Sequence, residues 1–149
     1  QRQMCIRDRY NPSYVENLMA YTKNAKRPLI FFTDYAEIRD GNIVESNKLL
    51  RIKRIMLFIL RPKSMWGSRF ARRRVLSMGS PICCPSITYY KPNLMEPVFL
   101  NGFRSNEDWE AEERISQLDG EFIFCNKILT YHRIHEDSET SKIIHDSKR

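Results

Sequence analysis

The sequence has little of what marks membrane-spanning, disulfide-linked or zinc-binding proteins. Its longest apolar run covers positions 55–60, far short of the roughly 20 residues that cross a bilayer as a helix. Two of its few cysteines, Cys83 and Cys84, are adjacent, and no Cys-x-x-Cys or Cys/His ligand cluster occurs. No signal peptide is visible. We therefore expect a cytoplasmic protein, kept reduced and held at most at the inner face of a membrane.

Acidic residues are missing from one segment, and this uneven charge matters more than the net charge of +7. Residues 51–74 contain nine Lys and Arg and no acid, whereas residues 105–149 carry a net charge of −5. A uniformly basic nucleic-acid binder would not show this division, so we expect no nucleic-acid partner. The hydrophobic content of 42% is typical of a globular domain, or of part of one.

Residues 1–9 show neither helical nor strand periodicity. They resemble translated sequencing-adapter DNA. We interpret them as an artefactual leader and base the fold prediction on residues 10–149.

Local signals predict three elements in the first half of the chain. Asn11 and Pro12 are typical of a helix start, and apolar residues follow at helical spacing from position 14. Residues 29–35 include an apolar run of the kind buried on both faces of a central sheet. Residues 46–60 show the pattern of an amphipathic helix, with most basic side chains opposite the apolar ones.

The clearest helix is predicted over residues 105–118. Ser105, with Asp108 three residues later, approximates a capping box, and Gly120 supplies the left-handed conformation that ends a helix. A helix is also predicted over 68–77, strands over 82–84, 86–90, 121–126 and 128–134, and a weak helix from 138. Helices alternating with apolar strands indicate an α/β fold with a mixed central sheet flanked by helices.

The order of the polar motifs is more specific than any one of them. The motifs are GSPI at 79–82 with PSIT at 85–88, NEDWE at 106–110, and LTYHRIH at 129–135 followed by Ser138 and Thr140. Their order resembles that of family 2 glycosyltransferases, which have the GT-A type fold. The resemblance covers residues 10–149 and implies transfer of a sugar, with inversion, from a nucleotide-sugar donor to an acceptor hydroxyl.

The resemblance assigns the acceptor side of the reaction to the NEDWE motif. Asp108 would be the catalytic base, and Glu107 beside it would orient the acceptor or shape the site. Trp109 would line the acceptor pocket, although packing in the core is an equally good interpretation. The acceptor would be a glycan, a lipid-linked molecule or a protein, as in polysaccharide biosynthesis.

The resemblance assigns the donor side to the last motif. His135 would ligate a divalent cation, Mn²⁺ or Mg²⁺, and Arg133 would pair with the donor phosphates. Ser138 and Thr140 would belong to a loop that closes over the donor. His132 is the weaker ligand candidate, because strand alternation points it away from Arg133 and His135.

The Asp-x-Asp metal motif of the family is absent, and Tyr10 onward is similar to the segment that follows it. We therefore interpret residues 10–149 as the C-terminal, acceptor-side portion of one glycosyltransferase domain. We expect the chain alone to be inactive and its central strand to lack neighbours. The alternative is a noncatalytic basic module that binds nucleic acid or a membrane surface through residues 51–74. Within the enzyme interpretation, the same segment would approach a lipid-phosphate acceptor or the inner leaflet of the membrane.

Overall fold

A single mixed sheet organises the chain. The structure, a computed structural model, describes residues 8–100 and 107–134. In these residues the strands are β1 (Arg9–Tyr10), β2 (Pro28–Arg39), β3 (Asn42–Val44), β4 (Ile87–Tyr89) and β5 (Glu121–Arg133). The helices are α1 (Tyr14–Thr22), α2 (Lys48–Met56), α3 (Arg69–Leu76) and α4 (Glu107–Ser116). The predicted α/β class with a mixed sheet and flanking helices is confirmed.

Strand β2 lies at the centre of this sheet. It runs parallel to β5 on one side, while β3 and β4 pair with it antiparallel on the other. The expectation that the central strand would lack neighbours is therefore wrong. All of β2 except its two ends is buried, which agrees with its continuous apolar run.

Two apolar layers cover the two faces of the sheet. The larger one packs side chains of β2 and β5, such as Phe32 and Phe124, against α3 and α4. The smaller one packs Phe31 and Ile123 against Tyr14 of α1. Because side chains alternate along a strand, neighbours such as Phe31 and Phe32 serve different layers. Among the described residues, no helix combines the length and the apolar character needed to cross a membrane.

The first helix begins later than its sequence signals predict. Asn11 does not cap it; its Oδ1 accepts hydrogen bonds from Ser13 N at 3.0 Å and Ser13 Oγ at 2.8 Å. Because these hydrogen bonds already engage the Asn11 side chain in a local turn, it does not cap the helix, and α1 begins at Tyr14. The strand predicted over 82–84 is also wrong. Its last residue begins a short 3₁₀ turn, Cys84–Ser86, in which Ser86 N donates to Cys83 O.

The amphipathic helix predicted over 46–60 is shorter than expected. It divides into α2, capped by Asn47 Oδ1, which accepts from Leu50 N, and a 3₁₀ turn, Leu57–Leu60. Leu50 is the one residue of α2 that is fully buried, whereas 73% of Ile55 is exposed. Much of the apolar pattern of this helix therefore faces outward.

The two strands predicted after α4 are one continuous strand, β5. Its pairing with β2 shifts register where Thr33 faces Cys125 and Asp34 faces Ile128. Asn126 and Lys127 lie in this irregularity and are exposed. The two segments that were predicted separately are thus joined through a bulge within one strand.

Candidate functional site

The residues predicted to carry the acid-base chemistry open helix α4. Glu107 and Asp108 lie in its first turn, and both are half-buried. The positive end of the helix dipole stabilises the ionised form of carboxylates at this position. Ser105, the predicted cap, lies outside the described residues. The helix ends at Ser116, slightly before the predicted end.

Contacts on the remainder of α4 fix its orientation. Trp109 packs against the larger apolar layer, and its Nε1 donates to the carbonyl oxygen of Leu76 on α3 at 3.2 Å. Arg114 donates to Glu110 one turn earlier and to the carbonyl oxygen of Val98. Trp109 therefore contributes to packing, and its role in acceptor binding stays a prediction.

Glu112 is a site residue that the sequence interpretation missed. It follows Asp108 by one helical turn, is fully buried, and neither of its carboxyl oxygens has a hydrogen-bond partner among the described residues. Burial raises the pKa of its carboxyl well above the usual value; the charge of Asp108 adds to this rise, and Lys53 opposes it. Glu112 thus keeps its proton at pH values where an exposed glutamate has lost it. Its spacing of four residues from Asp108 was the available signal.

Two further polar groups lie within electrostatic range of Asp108. Burial is the main cause of a raised pKa at Tyr89, to which Glu112 and Asp108 contribute, and the hydroxyl of Tyr89 is buried with no partner among the described residues. Burial likewise raises the pKa of the Cys83 thiol, with a smaller contribution from Asp108. We call Lys53, Cys83, Tyr89, Asp108 and Glu112 the Asp108 cluster.

Lys53 supplies the positive charge of the Asp108 cluster. Its Nζ lies 5.4 Å from the centre of the Tyr35 ring, and its charge lowers the pKa of both Cys83 and Glu112 against the larger effect of burial. The residue comes from α2, far from α4 in sequence. Only the folding of α2 over the end of β2 brings it there.

The end of β5 approaches the same region. The backbone N of Arg133 donates to Asp8 Oδ1 at 2.8 Å, and Nδ1 of His132 lies 3.1 Å from the same oxygen. The Asp8 side chain is only 1% exposed, and its charge adds to the raised pKa of Cys83, as that of Asp108 does. Asp8, which contacts the end of β5, and Asp108, in the first turn of α4, therefore both add to the raised pKa of Cys83.

Asp8 belongs to the segment interpreted as an artefactual leader, yet it contacts β5 as described. Its Oδ2 is buried and has no hydrogen-bond partner among residues 8–100 and 107–134. Because residues 1–9 were excluded from the fold prediction, this contact was not predicted. Residues 1–7 lie outside the described part of the chain.

The predicted cation ligand, His135, lies outside the described residues, as do Ser138 and Thr140. In the described part of the chain, no three His, Cys, Asp or Glu side chains are grouped so that they could hold a metal ion. The Mn²⁺ or Mg²⁺ and the ligand role of His135 stay predictions.

Comparisons with known proteins add no family to this α/β fold. The chain has no significant match among protein-family models, curated proteins or solved structures.

Proposed function

We propose that this chain forms the acceptor-side portion of an inverting glycosyltransferase with a GT-A type fold. The enzyme would transfer a sugar from a nucleotide-sugar to an acceptor hydroxyl. The observation that supports the proposal is a half-buried carboxylate, Asp108, in the first turn of a helix and beside a group of buried polar side chains.

In this proposal Asp108 is the general base. It accepts the proton of the acceptor hydroxyl while that oxygen bonds to the anomeric carbon of the sugar. The bond from this carbon to the diphosphate breaks on the opposite face, so the configuration inverts and the nucleotide diphosphate leaves. A positioned base typically contributes about 10²–10⁴-fold to the rate, or roughly 3–5 kcal/mol of barrier.

The environment of Asp108 suits this role. Asp108 lies in the first turn of α4, at the positive end of the helix dipole. Glu112, its neighbour on the next turn, is held protonated by burial, so two carboxylate charges do not compete at one place. Glu107 is proposed to orient the acceptor from the same helical turn.

The donor is assigned to the end of β5. Arg133 carries a planar guanidinium, which pairs with phosphate oxygens through two parallel hydrogen bonds. Ser138 and Thr140 are proposed to close over the nucleotide-sugar, and His135 to ligate a divalent cation that would neutralise charge on the diphosphate. The acceptor is a glycan, a lipid-linked molecule or a protein.

Because the proposal makes this chain one portion of an enzyme domain, the experiment that tests it uses a protein in which residues 10–149 are joined to the donor-binding portion of that domain. Formation of the nucleotide diphosphate from a panel of nucleotide-sugars is measured with and without acceptors, together with transfer of the sugar to the acceptor. We expect the Asp108→Asn variant to lose about 10²–10⁴-fold in kcat, with donor affinity unchanged. The Glu113→Gln variant, which neutralises a half-buried carboxylate on the same helix, is the matched control.

Thermal unfolding of both variants distinguishes loss of chemistry from loss of fold. Normal turnover by a folded Asp108→Asn protein would remove Asp108 from the base role. An equal loss in the Glu113→Gln control would show that the helix responds to any neutralisation. The noncatalytic alternative predicts no transfer by the unmodified protein with any donor.

A further inference from the structure

Large apolar side chains lie exposed on helices α2 and α3 and on the turn between them. In α2 and the turn, 73% of Ile55 and 61% of Phe58 are exposed, and 79% of Phe70 is exposed in α3. Single exposed apolar residues are common, but here they follow one another over two elements that pack on the same turn. We call the exposed faces of α2, the turn Leu57–Leu60 and α3 the α2–α3 surface.

Arginines are interleaved with these apolar side chains. Arg51 lines a shallow groove of about 420 Å³ on α2 together with Ile52 and Ile55. The guanidinium of Arg61 lies 5.2 Å from the centre of the Phe58 ring. Arg51 and Arg61 therefore lie beside apolar side chains rather than on a separate face.

Not every cation of residues 51–74 contributes to this surface. Arg54 forms an ion pair with Asp34 at 2.7 Å, and the fully buried Arg72 donates to the carbonyl oxygens of Leu118 and Gly120. These two arginines hold the fold together. At these two positions the basic segment therefore contacts the rest of the fold and not solvent alone.

Arg69 also has a counter-charge, since its guanidinium lies 3.7 Å from Asp119 Oδ1, but three other arginines have none among the described residues. Within residues 8–100 and 107–134, no carboxylate lies within ion-pair distance of Arg51, Arg73 or Arg74. All three are exposed, and the segment 51–74 contains no acid. The α2–α3 surface is therefore complementary in charge to an anionic partner.

The apolar component selects among anionic partners. Nucleic acid offers phosphates and flat bases, on which Phe58 and Phe70 can stack. It offers no apolar interior to the aliphatic side chains Ile52 and Ile55, which are both exposed on α2. A lipid bilayer offers anionic headgroups directly above an apolar interior, so it satisfies arginine and isoleucine together. Mixed basic and apolar composition on one exposed surface is typical of an interfacial membrane contact.

We propose that the α2–α3 surface docks this protein onto an anionic lipid membrane. Ile55, Phe58 and Phe70 enter the boundary between headgroups and acyl chains, while Arg51, Arg73 and Arg74 bind the headgroups. This inference does not depend on sugar transfer, because it rests on residues outside the Asp108 cluster.

The test is co-sedimentation of the full chain with vesicles. We expect binding to vesicles of phosphatidylcholine and phosphatidylglycerol in equal parts, little binding to phosphatidylcholine alone, and weaker binding at high salt. Replacing Arg73 and Arg74 by Gln reduces the affinity about 25-fold, since each cation near an anionic surface contributes about fivefold. Replacing Phe58 and Phe70 by Ser reduces it on the order of tenfold for each side chain.

The matched control replaces Val15 and Met19 by Ser. These side chains are exposed to 63% and 65%, but they lie on α1, which covers the other face of the sheet. The control binds vesicles as the unmodified chain does. Circular dichroism verifies that all variants are folded, and the Gln variants provide a second test if loss of phenylalanine prevents folding.

Three results would overturn the proposal. Equal weakening by the Val15 and Met19 control would show general adhesion rather than a defined surface. Binding to duplex DNA or to single-stranded RNA as tightly as to the anionic vesicles would assign the arginines to nucleic acid. Self-association that is lost in the Phe58 and Phe70 variant, with no vesicle binding, would assign the surface to a second copy of the chain.

Discussion

Glu112 makes the stability of this protein depend on pH. Its carboxyl is fully buried, has no hydrogen-bond partner among the described residues, and has a pKa raised mainly by burial. In the unfolded chain the same carboxyl ionises near its ordinary pKa. As the pH rises, the unfolded state therefore loses this proton first, and the equilibrium shifts toward unfolding.

We expect the Glu112→Gln variant to lose less stability than the unmodified protein as the pH rises above the ordinary pKa of glutamate. The raised pKa gives stability that is complete below the ordinary glutamate pKa and declines as the pH rises toward the folded pKa. Within that window the decline is about 1.4 kcal/mol for each pH unit. Urea unfolding at several pH values measures it.

The control for this prediction is Glu113→Gln, whose carboxyl is only half-buried. Its free energy of unfolding should follow the pH dependence of the unmodified protein. Parallel curves for the Glu112 variant and the unmodified protein would contradict the assignment of a buried, protonated carboxyl.

At the scale of elements, the connection from α4 to β5 depends on Gly120. Its φ of +141° lies in the region that favours glycine, and a Cβ there would lie 2.7 Å from the carbonyl oxygen of Arg27 and from Cγ of Leu29. Arg72 donates to the carbonyl oxygens of Leu118 and Gly120 and so fixes the same turn. The helix that carries Asp108 is thereby held at a defined distance from the sheet.

We expect Gly120→Ala to destabilise the protein by about 2–4 kcal/mol, because it combines an unfavourable backbone conformation with contacts that the neighbours cannot relieve. Gly41→Ala is the matched control, since Gly41 also has a positive φ, of +82°, but nothing lies within 4 Å of its added Cβ. The control should lose only about 1 kcal/mol. Equal losses in urea unfolding would show that the contacts do not matter.

Elements were predictable from local sequence where the signal itself was local. The acids that open α4, the apolar run in β2 and Gly120 before β5 each depend on neighbours within a few residues. Asn11 was misjudged because a side chain that can cap a helix can equally close a turn on Ser13.

At the scale of the whole molecule, β2 supports both apolar layers. Phe31 lies 5.7 Å, edge to face, from the ring of Tyr14 on one side of the sheet. Phe32 stacks at 4.9 Å on Phe124 on the other side. Because one strand holds both layers, the two layers should unfold together.

We expect Phe31→Ala and Phe32→Ala each to reduce the free energy of unfolding by about 3–5 kcal/mol, with a single transition in both variants. Phe58→Ala, at a phenylalanine that is 61% exposed, is the control and should cost less than about 0.5 kcal/mol. Thermal or urea unfolding followed by circular dichroism measures all three. A small loss for Phe31→Ala alone would show that the α1 layer contributes little.

The sequence by itself determined the class of the fold, the helix that presents Asp108 and the division of charge, since periodicity, helix-start chemistry and composition are local or additive properties. Tertiary structure alone brought Lys53 within electrostatic range of Glu112. It also brought Tyr89 within range of Asp108, and both Asp8 and Asp108 within range of Cys83. It also decided that Arg72 is buried while Phe58 and Phe70 are exposed. Burial depends on which distant element packs against a side chain, and the free energy of burying a charge or exposing a ring is a property of that packing.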